Sequence, residues 1–82
     1  MLSPITGIVR KVKQERREML SKDGVTKRMQ TISKVKVRDA EGDDIVLTSY
    51  DENFVLPKEG EKVSYVLRRY ECFDGMDATG MI

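Results

Sequence analysis

The chain has 82 residues and a formal net charge of +1, enough for one small domain that buries about 60% of its unfolded surface. Its 39% hydrophobic and 35% charged residues predict a folded chain rather than a disordered one. The absence of histidine and the single cysteine argue against a transition-metal site, an internal disulfide and Ser–His or Cys–His catalysis. We therefore expect a non-enzymatic protein without metal or cofactor. No apolar run suggests a membrane span or a signal peptide, so we expect a cytoplasmic location without membrane contact.

The charge is divided between the two halves of the sequence. Residues 1–38 carry eleven Lys and Arg against three acids, a net charge of +8, whereas residues 39–82 carry four against eleven, a net charge of −7. A basic half can attract phosphates although the overall charge is near zero. Alternatively, strands from the two halves pair and their surface charges cancel across the sheet.

The first segment of the chain has two interpretations. Residues 5–9 begin as a strand, but residues 11–20 are rich in helix formers, and apolar residues such as Val9 and Val12 fall near helical spacing. A helix here would make the fold α+β.

In the other interpretation, residues 5–20 and 25–38 are two long antiparallel strands. They join through Lys22-Asp23-Gly24, and Asp-Gly is a favoured hairpin turn because both central residues can take positive φ. The β-branched residues around this turn favour the hairpin. We therefore predict the strands, with approximately residues 13–28 projecting as a basic arm.

The remaining segments have strand patterns. Val35 and Val37 alternate with Lys34, Lys36 and Arg38, which gives one apolar and one basic face. A Gly-containing turn at 39–43 and a connection at 51–61 separate the later strands, which are predicted at 45–50, at 63–67 with an extension to Phe73, and in a short closing segment that ends at 82. The predicted core consists of the apolar residues of this alternation, namely Val9, Val12, Val35, Val37, Ile45, Leu47, Val63, Tyr65 and Leu67.

The order of these elements predicts a single all-β domain, 1–82, with five strands. Residues 35–47, followed by 57–63, resemble the middle of an OB-fold: a strand ends in Asp, a Gly turn and an apolar strand follow, and a Gly precedes the fourth strand. Residues 5–9 are similar to an OB first strand. The resemblance implies a small OB-like Greek-key barrel carrying the long basic hairpin. An SH3-like barrel fits the same spacing nearly as well.

A narrower resemblance is to the small single-stranded-DNA-binding proteins of filamentous phages. The similar features are the basic arm, the turn at 39–44 and the late aromatic segment at 70–75. The resemblance implies a homodimer that binds single-stranded DNA, independently of sequence, in phage or plasmid replication. Single-stranded RNA is the alternative ligand, since OB-folds bind both polymers. The arm of this chain lacks the aromatic residue of that family.

The expected nucleic-acid interface combines cations, which bind phosphates, with aromatic rings, which stack on bases. The candidate residues are Lys13, Arg16, Arg17, Lys22, Lys27, Arg28, Lys34, Lys36, Tyr50, Tyr70 and Phe73. Tyr70 is the first candidate for a stacking ring and Tyr50 the second. The alternative functions are a protein–protein adaptor without nucleic acid and a binder associated with RNA or ribosomes, and the C-terminal segment 74–82 is a possible contact for a protein partner.

Overall fold

The computed structural model describes residues 4–71 and 78–82, and these residues form six β-strands and no helix. The strands are β1 (Ile5–Leu20), β2 (Lys27–Asp39), β3 (Asp44–Ser49), β4 (Lys62–Tyr65), β5 (Arg69–Glu71) and β6 (Ala78–Met81). The predicted all-β class is confirmed, and residues 9–20 are strand rather than helix. The predicted count of five strands was wrong, because the expected strand at 63–73 is divided at residues 66–68 into β4 and β5.

The six strands form one curled sheet in the order β4-β1-β2-β3-β6-β5. β1, β2 and β3 make an antiparallel meander, β3 then pairs in parallel with β6, and β5 and β4 add antiparallel edges. β4 and β5 follow each other in the chain but lie at opposite edges of the sheet. Residues 66–68 therefore connect the two edges, and the sheet has the shape of a half-barrel.

The β1–β2 hairpin is longer than the rest of the sheet. β2 pairs with β3 from Ser33 to Arg38, while β1 pairs with β2 as far as Leu20. Residues 15–32 therefore extend beyond β3 as a two-stranded ribbon with a connecting turn. This segment, which replaces the predicted bounds of 13–28, is called the arm below. In that turn the carboxylate of Asp23 accepts hydrogen bonds from the backbone N–H groups of Val25 and Thr26, both at 2.9 Å. These bonds lower the pKa of Asp23.

A β-bulge in β1 adjusts which side chains face the core. The pairing register shifts between Val9, which lies opposite Val37, and Lys11, which lies opposite Lys36. Arg10 is the extra residue, and Val12 returns to the core side, opposite Val35. The bulge thus lets two valines that are three residues apart point to the same face of one strand.

The core lies on the concave, inner face of the sheet. Its buried members are Val9, Val35, Val37, Ile45, Leu47, Leu67 and Ala78. Six of these seven were expected; the other three expected residues, Val12, Val63 and Tyr65, are partly buried and pack against the cluster. Phe54, from the long connection, also packs there, with its ring centroid 5.9 Å from that of Tyr65.

Candidate nucleic-acid interface

The face of the sheet opposite the core is the candidate site. Side chains directly opposite each other on paired strands share a face, and alternate residues along a strand change face. The strand register therefore places one continuous set of side chains on the solvent side of the half-barrel. This outer face comprises Lys11 and Lys13 of β1, Lys34 and Lys36 of β2, Val46 and Thr48 of β3, Thr79 and Met81 of β6, and Arg69 and Glu71 of β5.

Four lysines on the outer face form two cross-strand pairs. Lys11 lies opposite Lys36, and Lys13 lies opposite Lys34. Like charges in such positions destabilise a sheet, because the two Cβ atoms are only about 4.5–5.5 Å apart. Within residues 4–71 and 78–82, neither Lys13 nor Lys34 has an acidic partner within ion-pair distance. The positive charge of this pair is therefore available to an anion from solution.

Asp44 lies at one end of this basic region, and Arg38 holds its carboxylate. Arg38 donates hydrogen bonds from Nε and Nη2 to the two carboxylate oxygens of Asp44, at 2.9 and 3.3 Å. The ammonium nitrogen of Lys36 is farther away, 3.9 Å from Asp44 Oδ2. The hydrogen bond from Arg38 lowers the pKa of Asp44, with the charges of Arg38, Lys36 and Arg10 acting in the same direction. Asp44 therefore offsets the charge of Arg38 more than that of Lys36.

Tyr50 lies at the end of β3, beside the outer face. Its side chain is 45% exposed. Together with residues of the outer face it lines an open groove of about 180 Å³, whose other lining residues are Thr48, Arg69, Glu71, Thr79, Gly80 and Met81. An exposed aromatic ring thus adjoins the face that carries the four lysines.

Tyr70, in contrast, lies on the other side of the sheet. It is opposite Gly80 in the β5–β6 pairing, between Arg69 and Glu71, which belong to the outer face. Tyr70 is 47% exposed, so it is accessible, but not to a ligand that crosses the lysine pairs. Phe73, the third expected stacking residue, lies outside the described residues.

Strand alternation also divides the cations of the arm. Arg17 and Arg28 continue the outer face, whereas Arg16 and Lys27 lie on the opposite face of the ribbon, and Lys22 lies in the turn. Two of these cations have acidic neighbours. Arg17 Nη2 is 2.9 Å from Glu15 Oε1, and Lys27 Nζ is 3.8 Å from Glu18 Oε1. The structure therefore unites Lys13, Arg17, Arg28, Lys34, Lys36 and Tyr50 on one side of the molecule and separates them from Arg16, Lys27 and Tyr70.

The structure adds residues that the sequence analysis did not select. Lys11 completes the second lysine pair, and Arg69 and Glu71 form an ion pair at the far edge of the face. Lys11 lies two residues before Lys13 and on the turn side of the bulge, so strand alternation from Lys13 was enough to assign it to the same face. The sequence pattern also gave no sign of the break at residues 66–68, which separates β5 from β4.

The acidic turn between β2 and β3 has a structural explanation. Carboxylate oxygens of Asp39, Glu41 and Asp43 lie within 4.8 Å of one another. Asp39 Oδ1 accepts hydrogen bonds from the backbone N–H groups of Glu41 and Asp43, both at 2.9 Å. Gly42 supplies the positive φ of 86° that the turn requires. These contacts assign the cluster to turn formation.

Comparisons with models of protein families, with curated proteins and with solved structures found no match to this chain. In the described part of the chain there is no helix with the length and apolar character needed to cross a membrane. The function must therefore be inferred from the geometry of the outer face.

Proposed function

We propose that this protein binds single-stranded nucleic acid on the outer face of its sheet and catalyses no reaction. The observation that carries the proposal is the juxtaposition of two lysine pairs, Lys11–Lys36 and Lys13–Lys34, with the exposed ring of Tyr50. Cationic grooves combined with aromatic platforms are typical of proteins that bind single strands.

The lysine pairs would bind backbone phosphates. A phosphate between two ammonium groups removes their mutual repulsion, so binding relieves an unfavourable interaction of the free protein. Such contacts release counterions from the nucleic acid, do not depend on base sequence, and weaken as salt rises. Arg28 extends the same positive face along the arm, whereas the charge of Arg17 is offset by Glu15.

Tyr50 would stack on a base. A base in a single strand exposes its flat face, whereas a base within a duplex is already stacked on its neighbours. The ring of Tyr50 therefore favours a single strand over a duplex, while the lysines contribute to the binding of both.

The strand pairing supports the OB-like part of the proposal. OB-folds bind oligonucleotides on the face of their second and third strands. Lys34 and Lys36 lie on β2, and Thr48 lies next to them on β3. If the protein is OB-like, β4 and β5 together represent one interrupted fourth strand. A role in phage or plasmid replication and a homodimeric state follow from the resemblance, and sedimentation at micromolar concentration tests the latter.

The test is a fluorescence-anisotropy titration with matched single-stranded DNA, duplex DNA and single-stranded RNA at about 50 and 200 mM salt. Two double variants of equal charge are compared: Lys13→Gln with Lys34→Gln on the outer face, and Arg16→Gln with Lys27→Gln on the other face of the arm. We expect the outer-face variant to bind more weakly, with a slope of log affinity against log salt that is shallower by roughly 0.7 per lost phosphate contact on single strands.

The variant of Arg16 and Lys27 should keep affinity and slope close to those of the wild type. Failure of the wild type to bind any oligonucleotide at the lower salt concentration would refute the proposal and leave the adaptor function. Equal losses in the two double variants would show that net charge, rather than the outer face, determines binding.

A further inference from the structure

The groove beside Tyr50 is lined by charged and polar groups that base stacking does not require. The backbone of Gly80 and the side chains of Thr79 and Met81 line it, and Arg69 and Glu71 stand at its β5 side. The groove is open to solvent and has a volume of about 180 Å³. The groove is continuous with the lysine pairs, because Thr48 lies opposite Lys34 and also lines the groove.

Arg69 and Glu71 form a donor and acceptor pair at the groove. They are two residues apart on β5, so both project from the outer face. Nη2 of Arg69 contacts Oε1 of Glu71, and their side chains are 72% and 41% exposed. A guanidinium has five N–H donors and a carboxylate has two acceptor oxygens, so this single contact does not exhaust either group.

We infer that this groove receives one unpaired base and that Arg69 and Glu71 give it a preference for guanine. The inference rests on the proposed function and adds a local base preference to sequence-independent phosphate binding. Guanine presents the O6 acceptor beside the N1–H and N2–H donors, so Arg69 can donate to O6 while Glu71 accepts from the two N–H groups.

The other bases fit this pair less well. Thymine and uracil have one N–H donor between two carbonyl oxygens, which the carboxylate of Glu71 repels. Cytosine and adenine each offer Glu71 an amino group but no second N–H donor beside it. Tyr50 can stack on any base, and more strongly on a purine than on thymine. A purine that lacks one of the guanine contacts to Glu71 therefore separates the contribution of Arg69 and Glu71 from that of stacking.

The experiment compares an oligothymidylate with the same strand carrying one central guanine and with the same strand carrying hypoxanthine there, which lacks the N2 amino group. Affinities are measured by anisotropy at one salt concentration. We expect the guanine strand to bind at least about fivefold more tightly than the oligothymidylate, since a good bidentate contact to a base discriminates by roughly that factor or more. The hypoxanthine strand should lie between them.

Glu71→Gln should reduce the ratio of the guanine and thymine affinities towards one. Because this change also removes a negative charge, Glu41→Gln in the β2–β3 turn is the matched control, and it should leave the ratio unchanged. Thermal melting confirms that both variants are folded. The ratio is the informative quantity, since a general change in charge moves both affinities together.

The outcomes separate this inference from the proposed function. Equal affinity of the wild type for all three strands, with the lysine dependence intact, would overturn the guanine preference and leave the proposed function standing. A guanine preference that persists in Glu71→Gln would also overturn the assignment to this pair. If no strand binds, the proposed function itself fails, and the inference fails with it.

Discussion

Lys13 and Lys34 lie directly opposite each other on β1 and β2, and both project from the outer face. Each is flanked along its own strand by another lysine of the same face, Lys11 and Lys36. The fold therefore carries a local repulsion that a neutral or mixed pair would not have. This arrangement links the stability of the sheet to its proposed ligand.

Lys34→Glu should make the protein more stable and a weaker binder. An opposite-charge pair with Lys13 replaces a repulsive one, which should raise the free energy of unfolding by about 0.2–1 kcal/mol. The same change removes a phosphate contact and adds a negative charge to the face. Urea denaturation and oligonucleotide titration measure the two effects, and a variant that loses both stability and affinity would contradict this interpretation of the pair.

Tyr50→Ala and Tyr70→Ala should differ in their effects on binding, although the two rings are almost equally exposed. Loss of the Tyr50 ring should cost about 1–3 kcal/mol of binding free energy, because a stacked base loses its platform. The salt dependence should hardly change, since no charge is removed. Tyr70→Ala should leave affinity near that of the wild type. The reverse order of effects would place the ligand on the other side of the sheet.

Val37→Asp should abolish cooperative folding. Val37 is fully buried in the core cluster, and an unpaired carboxylate there costs several kcal/mol, comparable with the whole stability of a small domain. Val55→Asp is the matched control, because Val55 is 84% exposed in the connection between β3 and β4. Thermal melting followed by circular dichroism distinguishes them. A cooperative transition in Val37→Asp would mean that the core is assigned to the wrong face.

Asp44 should make stability fall in acid. Its pKa is lowered from the ordinary 3.8 chiefly because Arg38 donates hydrogen bonds to the carboxylate. The ionised group therefore stabilises the folded state above that value, and the stabilisation is lost as the pH falls through the lower, folded-state pKa. Urea midpoints should thus decline below about pH 4.

Asp44→Asn should reduce this decline and lower stability at neutral pH. Part of the decline should remain, since Asp23 in the arm turn has its pKa lowered as well. Asp43→Asn, an exposed change one residue away, controls for the loss of a negative charge. Identical pH profiles for Asp44→Asn and the wild type would show that the Arg38–Asp44 contact contributes nothing to folding.

Local signals in the sequence were sufficient to predict the β1–β2 hairpin. The alternation around Val35 and Val37 predicted the two faces of β2, and Asp23-Gly24 predicted the position of the turn. Gly24 has a φ of 73°, but Asp23 does not have the positive φ that was expected for both residues, and the connection between the strands spans residues 21–26. The main ambiguity arose at Val9 and Val12, whose three-residue spacing imitates a helix. In the structure that spacing is produced by the bulge, which depends on pairing with β2 and is not visible in one strand alone.

The pairing of strands that are distant in the chain could not be predicted from the sequence pattern. The sequence at 63–67 contains no turn signal, but Val66 is exposed and Leu67 is buried at the point where the chain leaves β4 for the opposite edge. Curvature of the whole sheet, rather than local propensity, imposes that break. The same limit applies to the site, because only Lys34 and Lys36 could be assigned to one face from the sequence. The placement of Tyr50 with them depends on the pairing of β3 with β2. The placement of Tyr70 away from them depends on the pairing of β6 with both β3 and β5.

The bulge at Arg10 gives β1 one residue that the pairing with β2 does not use. Deletion of Arg10 would leave Val9, Lys11, Val12 and Lys13 in strict alternation, opposite the same residues of β2 as before. Lys11 and Lys13 would therefore stay on the outer face, and Val12 on the core side. A one-residue deletion farther along β1, where the alternation is already strict, would instead turn every side chain beyond it to the other face and so exchange the charged and apolar sides of the arm.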